Sequence, residues 1–268
     1  MIANNGVGTA PRAVANTPLS TTLAYTKFEL LRTFRNRRFF VFSLGFPLVM
    51  YFLIAGPNKN NHHLGASGDF PGVFAPLYYM VSLIAFGTMT AVMAGGARIA
   101  AERSVGWNRQ LRLTPLSTRT YFRTKVITSY LMALTSILLM YLAGTLLGVR
   151  LPASQWLEMT ALVLVALVPF AAIGILMGHL LTVDSMGPAL GGLSALFAFL
   201  GGTWFPITGG GALVEIAKSL PSYWLVQAGQ VGVGGGAFPP RGWIVLAIWT
   251  AVFAILAGRA YQRDTKRV

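Results

Sequence analysis

The sequence predicts an all-α membrane protein. It would have six transmembrane helices, an N-terminal amphipathic interfacial helix, and a re-entrant extracellular helical hairpin before the last span. Three observations carry this expectation. Apolar residues make up 54% of the 268 residues and charged ones only 10%, against about 25% charged in soluble domains. Six apolar runs approach or exceed the ~20 residues needed to cross a hydrocarbon core of ~30 Å. With the N-terminus inside, 17 of the 21 Lys and Arg fall on the inner segments and 4 on the outer ones, the bias of cytoplasmic loops.

In chain order, residues 1–19 are rich in Gly, Ala, Asn, Pro and Thr and are expected to form a disordered cytoplasmic tail. They contain no apolar core, so no cleavable signal peptide is expected. Residues 20–38 read as a helix. At 100° per residue, Leu23, Phe28, Leu30, Leu31 and Phe34 share one half of the wheel, with Glu29, Arg32 and Thr33 opposite. Lys27 falls in the apolar arc and would snorkel. Lys27, Glu29, Arg32 and Arg35 are then the charges of a helix lying along the membrane surface. The alternative, packing on a soluble domain, lacks a soluble domain to follow it.

The six runs are Phe39 to Ala55, Val73 to Ala97, Val126 to Gly148, Leu157 to Leu181, Gly187 to Phe205 and Trp243 to Gly258. The first is short and holds Pro47. Their inner connections are 98–125 and 182–186, their outer ones 56–72, 149–156 and 206–242. Both termini are expected in the cytoplasm of a multi-pass plasma-membrane protein, residues 261–268 forming a basic tail.

The outer segment 206–230, from Pro206, holds a short helical pattern, Ala212 to Leu220 with Glu215, and then a restart at Pro221 with Trp224. Broken helices at membrane depth need protein or a water cavity over their backbone. The stretch therefore reads as a hairpin dipping back from the outer face, an ordinary surface loop being the alternative. His62, His63 and Asp69 in residues 56–72 fit no metal-ligand spacing, so no metal site is expected. Gly144 with Gly148, and Gly174 with Gly178, have the small-xxx-small spacing of close helix packing, read as contacts within the chain.

Ionisable residues inside spans are functional candidates, and few exist. Glu158, His179 and Asp184 sit near span ends. The lack of such groups at mid-membrane argues against an ion-coupled transporter and against an intramembrane hydrolase. No cysteine is present, which excludes disulfides, thiolate metal sites and a cysteine nucleophile. None of the five lysines follows a glycine, so no phosphate-binding loop exists. Work driven by ATP would have to come from another chain. The net charge of +14 follows from cytoplasmic Lys and Arg, and nucleic acid is not an expected partner.

The segment 98–125 is the most informative. Ala100 to Leu113 is expected to continue the second span as a helix. Thr114 is a suitable N-cap and Pro115 a natural first helical residue, so a break and a second short helix over Leu116–Tyr121 are expected. Arg123 and Lys125 then mark entry to the third span. Helix, break and short helix would form a stiff lever; a passive loop bearing inside-positive residues is the plainer alternative.

On Glu102-Arg103, Gly106, Leu111, Thr114-Pro115-Leu116-Ser117, and Tyr121 with Lys125, this region resembles the connection between the second and third spans of ABC-2-type exporter permeases. Such a permease is the transmembrane subunit of an ATP-binding cassette transporter. The likeness extends architecturally over about residues 20–260, taken as one transmembrane domain. It implies that residues 115–121 are a coupling helix seated on a separate ABC ATPase subunit. It also implies two ATPase copies, a second permease subunit (homo- or heterodimer), and no cofactor on this chain, ATP and magnesium belonging to the partner. The chain itself would not be an enzyme. The apolar spans suit export of a hydrophobic or amphipathic compound, such as a drug, antibiotic or lipid-like molecule. A polysaccharide or lipid-linked glycan permease, and a secondary transporter or channel without an ATPase, are the competing functions.

Overall fold

In the computed structural model, residues 18–35, 41–60, 74–106, 118–204, 207, 210–231 and 236–266 are described, and every regular element among them is helical. Helix α1 covers Pro18–Phe34. A π-helical turn at Val41–Gly45 leads into α2 (Phe46–Ala55). Then come α3 (Ala75–Met93), α4 (Gly95–Ser104), α5 (Thr118–Leu146), α6 (Ala153–Ala166), α7 (Val168–Leu180) and α8 (Val183–Leu200). Two short helices, α9 (Ala212–Lys218) and α10 (Pro221–Val231), precede α11 (Pro240–Lys266).

Among the described residues, five stretches are long and apolar enough to cross a membrane: Ala75–Ser104, Arg119–Leu146, Ala153–Leu180, Val183–Leu200 and Pro240–Asp264. The first expected span is present among the described residues only as the shorter apolar helix Ser43–Ala55. Two of the five are rods made of two helices. Helices α3 and α4 join at Ala94, just before Gly95-Gly96. Helices α6 and α7 join at Leu167, where Pro169 enters and removes one backbone donor from the ladder.

The rod of α3 and α4 is the centre of the bundle: 83% of its most apolar window is buried, against 17% for α11. Tyr51 on α2 is fully buried against it and donates to the Pro76 carbonyl at 3.1 Å. Methionines 80, 89, 93, 132, 140 and 159 fill the interior, as flexible side chains do in irregular gaps. Helix α7 crosses α4 backbone to backbone. A Cβ at Gly178 would lie 2.6 Å from the Gly96 carbonyl oxygen, one at Gly174 2.7 Å from that of Met93, and one at Gly96 would run into the Gly174 carbonyl. The glycine spacing at 174 and 178 thus marks a contact within the chain.

Helix α1 packs on α5 by its polar face. Glu29 and Thr33 are buried, whereas Leu23, Phe28 and Leu31 are 70%, 61% and 54% exposed. This reverses the packing of an amphipathic helix on a water-soluble domain. Lys27, Arg32 and Arg35 are exposed.

Helices α9 and α10 fold back between α8 and α11. Gly211, at φ +109°, opens α9, a backbone region that favours glycine. Trp224 Nε1 donates to the Lys218 carbonyl at 2.8 Å and Trp249 Nε1, on α11, to that of Ser219 at 2.9 Å. The α9 carboxylate Glu215 pairs with Arg241 at 2.8 Å and Lys218 at 3.4 Å. Helix α9 buries only Val214 and Ala217, whereas α10 packs on α6 and α3 and buries Pro221, Trp224, Leu225 and Val226.

Two expectations are corrected around the 98–125 segment. The helix from Ala100 does not reach Leu113: α4 ends at Ser104, and Gly106 turns the chain at φ +67°, as a glycine past a helix end does. Tyr121 does not belong to a separate short helix. It lies in the first turn of α5, which runs unbroken from Thr118 to Leu146. Leu111, Thr114, Pro115, Leu116 and Ser117, with Pro206, His62, His63 and Asp69, lie outside the described residues.

Candidate functional site

Three helices each bring a polar pair with helical spacing to one point at the end of the bundle. Helix α1 supplies Glu29 and Thr33, α4 supplies Arg98 and Glu102, and α5 supplies Tyr121 and Lys125. Residues four apart lie on one face of a helix, so each helix presents its pair along a single edge.

Lys125 is the shared member. Its Nζ lies 2.6 Å from Glu29 Oε1 and 2.5 Å from Glu102 Oε1, and all three side chains are at most 2% exposed. The ammonium also sits 5.2 Å from the Tyr121 ring centroid. Glu102 takes a second short bond, from the Tyr121 hydroxyl to Oε2 at 2.7 Å, and a longer contact from Arg32 at 3.5 Å. Arg98 Nε approaches Glu29 Oε1 at 3.8 Å, and its Nη1 donates to the Thr33 hydroxyl. That hydroxyl donates in turn to the Glu29 carbonyl at 2.7 Å. Thr26 and Thr124 join α1 to α5 again through their hydroxyls at 3.3 Å. Tyr25 lies close by, and its phenol is raised well above the ordinary tyrosine range. Burial is the main cause, and the negative charges of Glu102 and Glu29 add to it.

The electrostatics follow from the count. Two buried carboxylates face two largely buried cations, with Arg32 half-exposed at the edge. Removing charges from water is costly, and a buried pair holds only when extra hydrogen bonds satisfy it. Glu102 has those bonds, which makes it a structural junction. At 2% exposure, Glu102 is a buried charge and not a surface one.

Arg103, the next residue, points the other way. Its guanidinium grips Asp264 on α11 as a fork, Nε to Oδ2 at 2.7 Å and Nη2 to Oδ1 at 2.9 Å. Its Nη1 donates to the Gly178 carbonyl at 2.9 Å and the Leu181 carbonyl at 3.4 Å. These carbonyls end α7, where the helix dipole favours a cation. His179 Nδ1 meets Asp264 Oδ2 at 2.8 Å. Adjacent residues thus tie the last turn of α4 to opposite sides: Glu102 to α1 and α5, Arg103 to α7 and α11. Gly106 follows directly, and the described chain resumes at Thr118.

Of the residues singled out from sequence, Glu29, Arg32, Glu102, Tyr121 and Lys125 come together here. Arg103 joins the second junction, and Gly106 ends the helix that carries both. Lys27 and Arg35 have no part in either junction. Glu215, Pro221 and Trp224 belong to the α9–α10 hairpin at a separate place. Arg98, Thr33, Thr124 and Asp264 were missed, and His179 was noted without a role. The (i, i+4) pairs Glu29/Thr33 and Arg98/Glu102 were the signal for Thr33 and Arg98. Nothing local marked Asp264, which lies 161 residues from Arg103.

Comparison with known proteins bears on what such a junction serves. A family model described as "ABC-2 family transporter protein" matches residues 66–259. "Putative transport permease YvfS" of Bacillus subtilis (strain 168) is 27% identical over 232 residues, covering 85% of this chain and 92% of that protein.

Proposed function

The chain belongs to the ABC-2 family of transporter proteins, and on that premise we propose that it is the membrane subunit of an ATP-driven exporter whose coupling segment is anchored through Lys125. As an ABC-2 permease it is a multi-pass membrane protein and a transmembrane component of an ABC transporter, and the family implies an ATPase partner.

The observation that carries the proposal is the sharing of one ammonium between Glu29 and Glu102. Residues 107–117 leave from the end of α4 and return into the start of α5. Glu102 and Lys125 stand near those two ends, and Glu29 belongs to α1. A push on that segment by the ATPase moves α1, α4 and α5 together, because a displacement of any one would strand a buried charge. Arg103 carries the displacement on to α7 and α11. The crossing of α4 and α7, where backbone meets backbone at Gly96, Gly174 and Gly178, serves as the pivot.

The remaining parts fit this scheme. Helix α1 lies along the inner membrane surface with Leu23, Phe28 and Leu31 in the lipid. The apolar helix Ser43–Ala55 belongs to the sixth span, and both termini are cytoplasmic. Helices α9 and α10 form a hairpin dipping from the outer face, covered by α6 and α3 as membrane-depth backbone must be. Two permeases and two ATPases assemble, with nucleotide and magnesium held by the ATPases. The cargo is hydrophobic or amphipathic, because the spans offer Phe, Met and Leu and almost no charge.

The test is co-purification with the ATPase, followed by ATP turnover and transport in vesicles. Lys125→Met is expected to leave any assembled complex uncoupled, with ATP turnover no longer stimulated by cargo. Wild-type coupling in that variant, with assembly intact, would sink the proposal. Transport driven by an ion gradient without any ATPase would instead favour a secondary transporter.

A further inference from the structure

An apolar cleft of 410 Å³ lies between α5, α7 and α11, within the ~300–1,000 Å³ range of small-ligand sites. The coupling scheme makes no use of it. Its existence follows from residue size. Helices α7 and α11 offer Ala171, Ala172, Ala254, Ala257 and Gly258, which leave space that the α5 side chains do not fill. Val168, Ala254 and Gly258 are exposed, so the cleft opens sideways, toward the lipid of a membrane.

Its polar inventory is small. The Thr250 hydroxyl is committed to the Leu246 carbonyl at 2.7 Å, and the other lining oxygens on side chains are the phenols of Tyr130 and Tyr261. The cleft runs along α5 from Phe122 to Tyr130, eight residues or ~12 Å of helix. That is close to the hydrocarbon depth of one leaflet, half of ~30 Å. At the Phe122 end, the rings of Phe122, His179 and Tyr261 close on one another at 5.0–5.9 Å.

At that end of the cleft stand two cations, Arg119 one turn before Phe122 and Arg123 next to it. Phe122, Val126 and Tyr130 define the cleft face of α5. At 100° per residue, Arg119 falls within about 20° of its centre and Arg123 within about 60°. Both are exposed, and neither has an acidic partner among the described residues.

We propose that this cleft seats an acyl chain of an anionic phospholipid, with the lipid phosphate held by Arg119 and Arg123. An apolar slot one leaflet deep, open to the side and tipped by paired cations, complements such a lipid in length, polarity and charge. The proposal requires the chain to be embedded in a membrane and does not depend on its partner or cargo.

The test is native mass spectrometry of the purified full chain in detergent, after incubation with equimolar palmitoyl-oleoyl phosphatidylglycerol and phosphatidylcholine. Wild type should retain the anionic phosphatidylglycerol preferentially. Neutralising the arginines, in Arg119→Gln and Arg123→Gln, should cut that retention by about fivefold each. Gly258→Phe should abolish retention of both lipids. A Cβ there meets nothing within 4 Å, so the new ring enters the slot rather than the packed core. Ala254→Leu serves where that variant does not fold. Equal retention of the two lipids by wild type, or unchanged retention in the filled variant, overturns the proposal. So does loss of a two-copy species on filling while lipid retention stays the same, since the cleft would then belong to a second copy. The assay needs no ATPase, so its failure is distinct from failure of the exporter reading.

Discussion

Lys125 is the residue on which most depends. Truncation to Met leaves two carboxylates buried without their shared cation, and breaking such a pair costs about 3–5 kcal/mol. The expected outcome is a thermal midpoint in detergent far below that of wild type, with Lys125→Arg recovering part of the loss. Glu215 on α9 makes a milder prediction. Its hydrogen bond from Arg241, with smaller help from Lys218, holds its carboxyl below the ordinary value. A depressed carboxylate stabilises the fold above its unfolded pKa of ~4.3 and loses that contribution as pH falls through the folded value. Protease protection of the hairpin should therefore be flat from neutral pH down to about 5 and weaken below ~4. Glu215→Gln should remove the pH-dependent part. At this scale, sequence reading found Glu102, Lys125 and Tyr121 but not what they touch. Helical spacing shows which residues share an edge, whereas the meeting of Glu29 with Lys125, 96 residues apart, depends on how the bundle folds.

Among the elements, the end of α4 is the most exacting. Gly106 holds φ +67°, and Gly106→Ala should cost roughly 1 kcal/mol from backbone conformation alone. If α4 ends there in order to release the coupling segment, the same variant should lower cargo-stimulated ATP turnover more than it lowers stability. The two effects separate when turnover is measured well below the melting temperature. The α4–α7 crossing predicts a larger change. Gly96→Val drives a side chain into the Gly174 carbonyl, and overpacking costs about 1–3 kcal/mol or more. The element pattern was largely legible: each apolar run overlaps a helix, although α8 stops at Leu200, and the glycine pair in α7 marks a close crossing. The limits of α4 and α5 were not. Thr114-Pro115 offered a stronger break signal than Gly106, and a single glycine announces a left-handed turn only once its dihedral is known.

For the whole molecule, the arrangement predicts its own sidedness. The chain has no native cysteine, so one introduced at Leu213, which is 61% exposed on α9, is a unique label. A membrane-impermeant maleimide should reach it from outside intact cells, and labelling only after permeabilisation would reverse the topology. Ser222 on α10 is a poor reporter because it is 2% exposed. Composition made the membrane class legible, and the charge bias gave an orientation to test. Neither could show that α1 turns its carboxylate inward, because a helical wheel separates two faces without saying which one meets protein. That inward carboxylate bears on how the protein is made. Glu29 leaves the ribosome 96 residues ahead of Lys125, an interval of about 5–20 s at ordinary synthesis rates. Until the lysine arrives, the Glu29 face of α1 lacks that counter-charge and stays in water at the membrane surface. Docking of α1 through Lys125 is therefore expected only once α5 has followed the α3–α4 rod out of the ribosome.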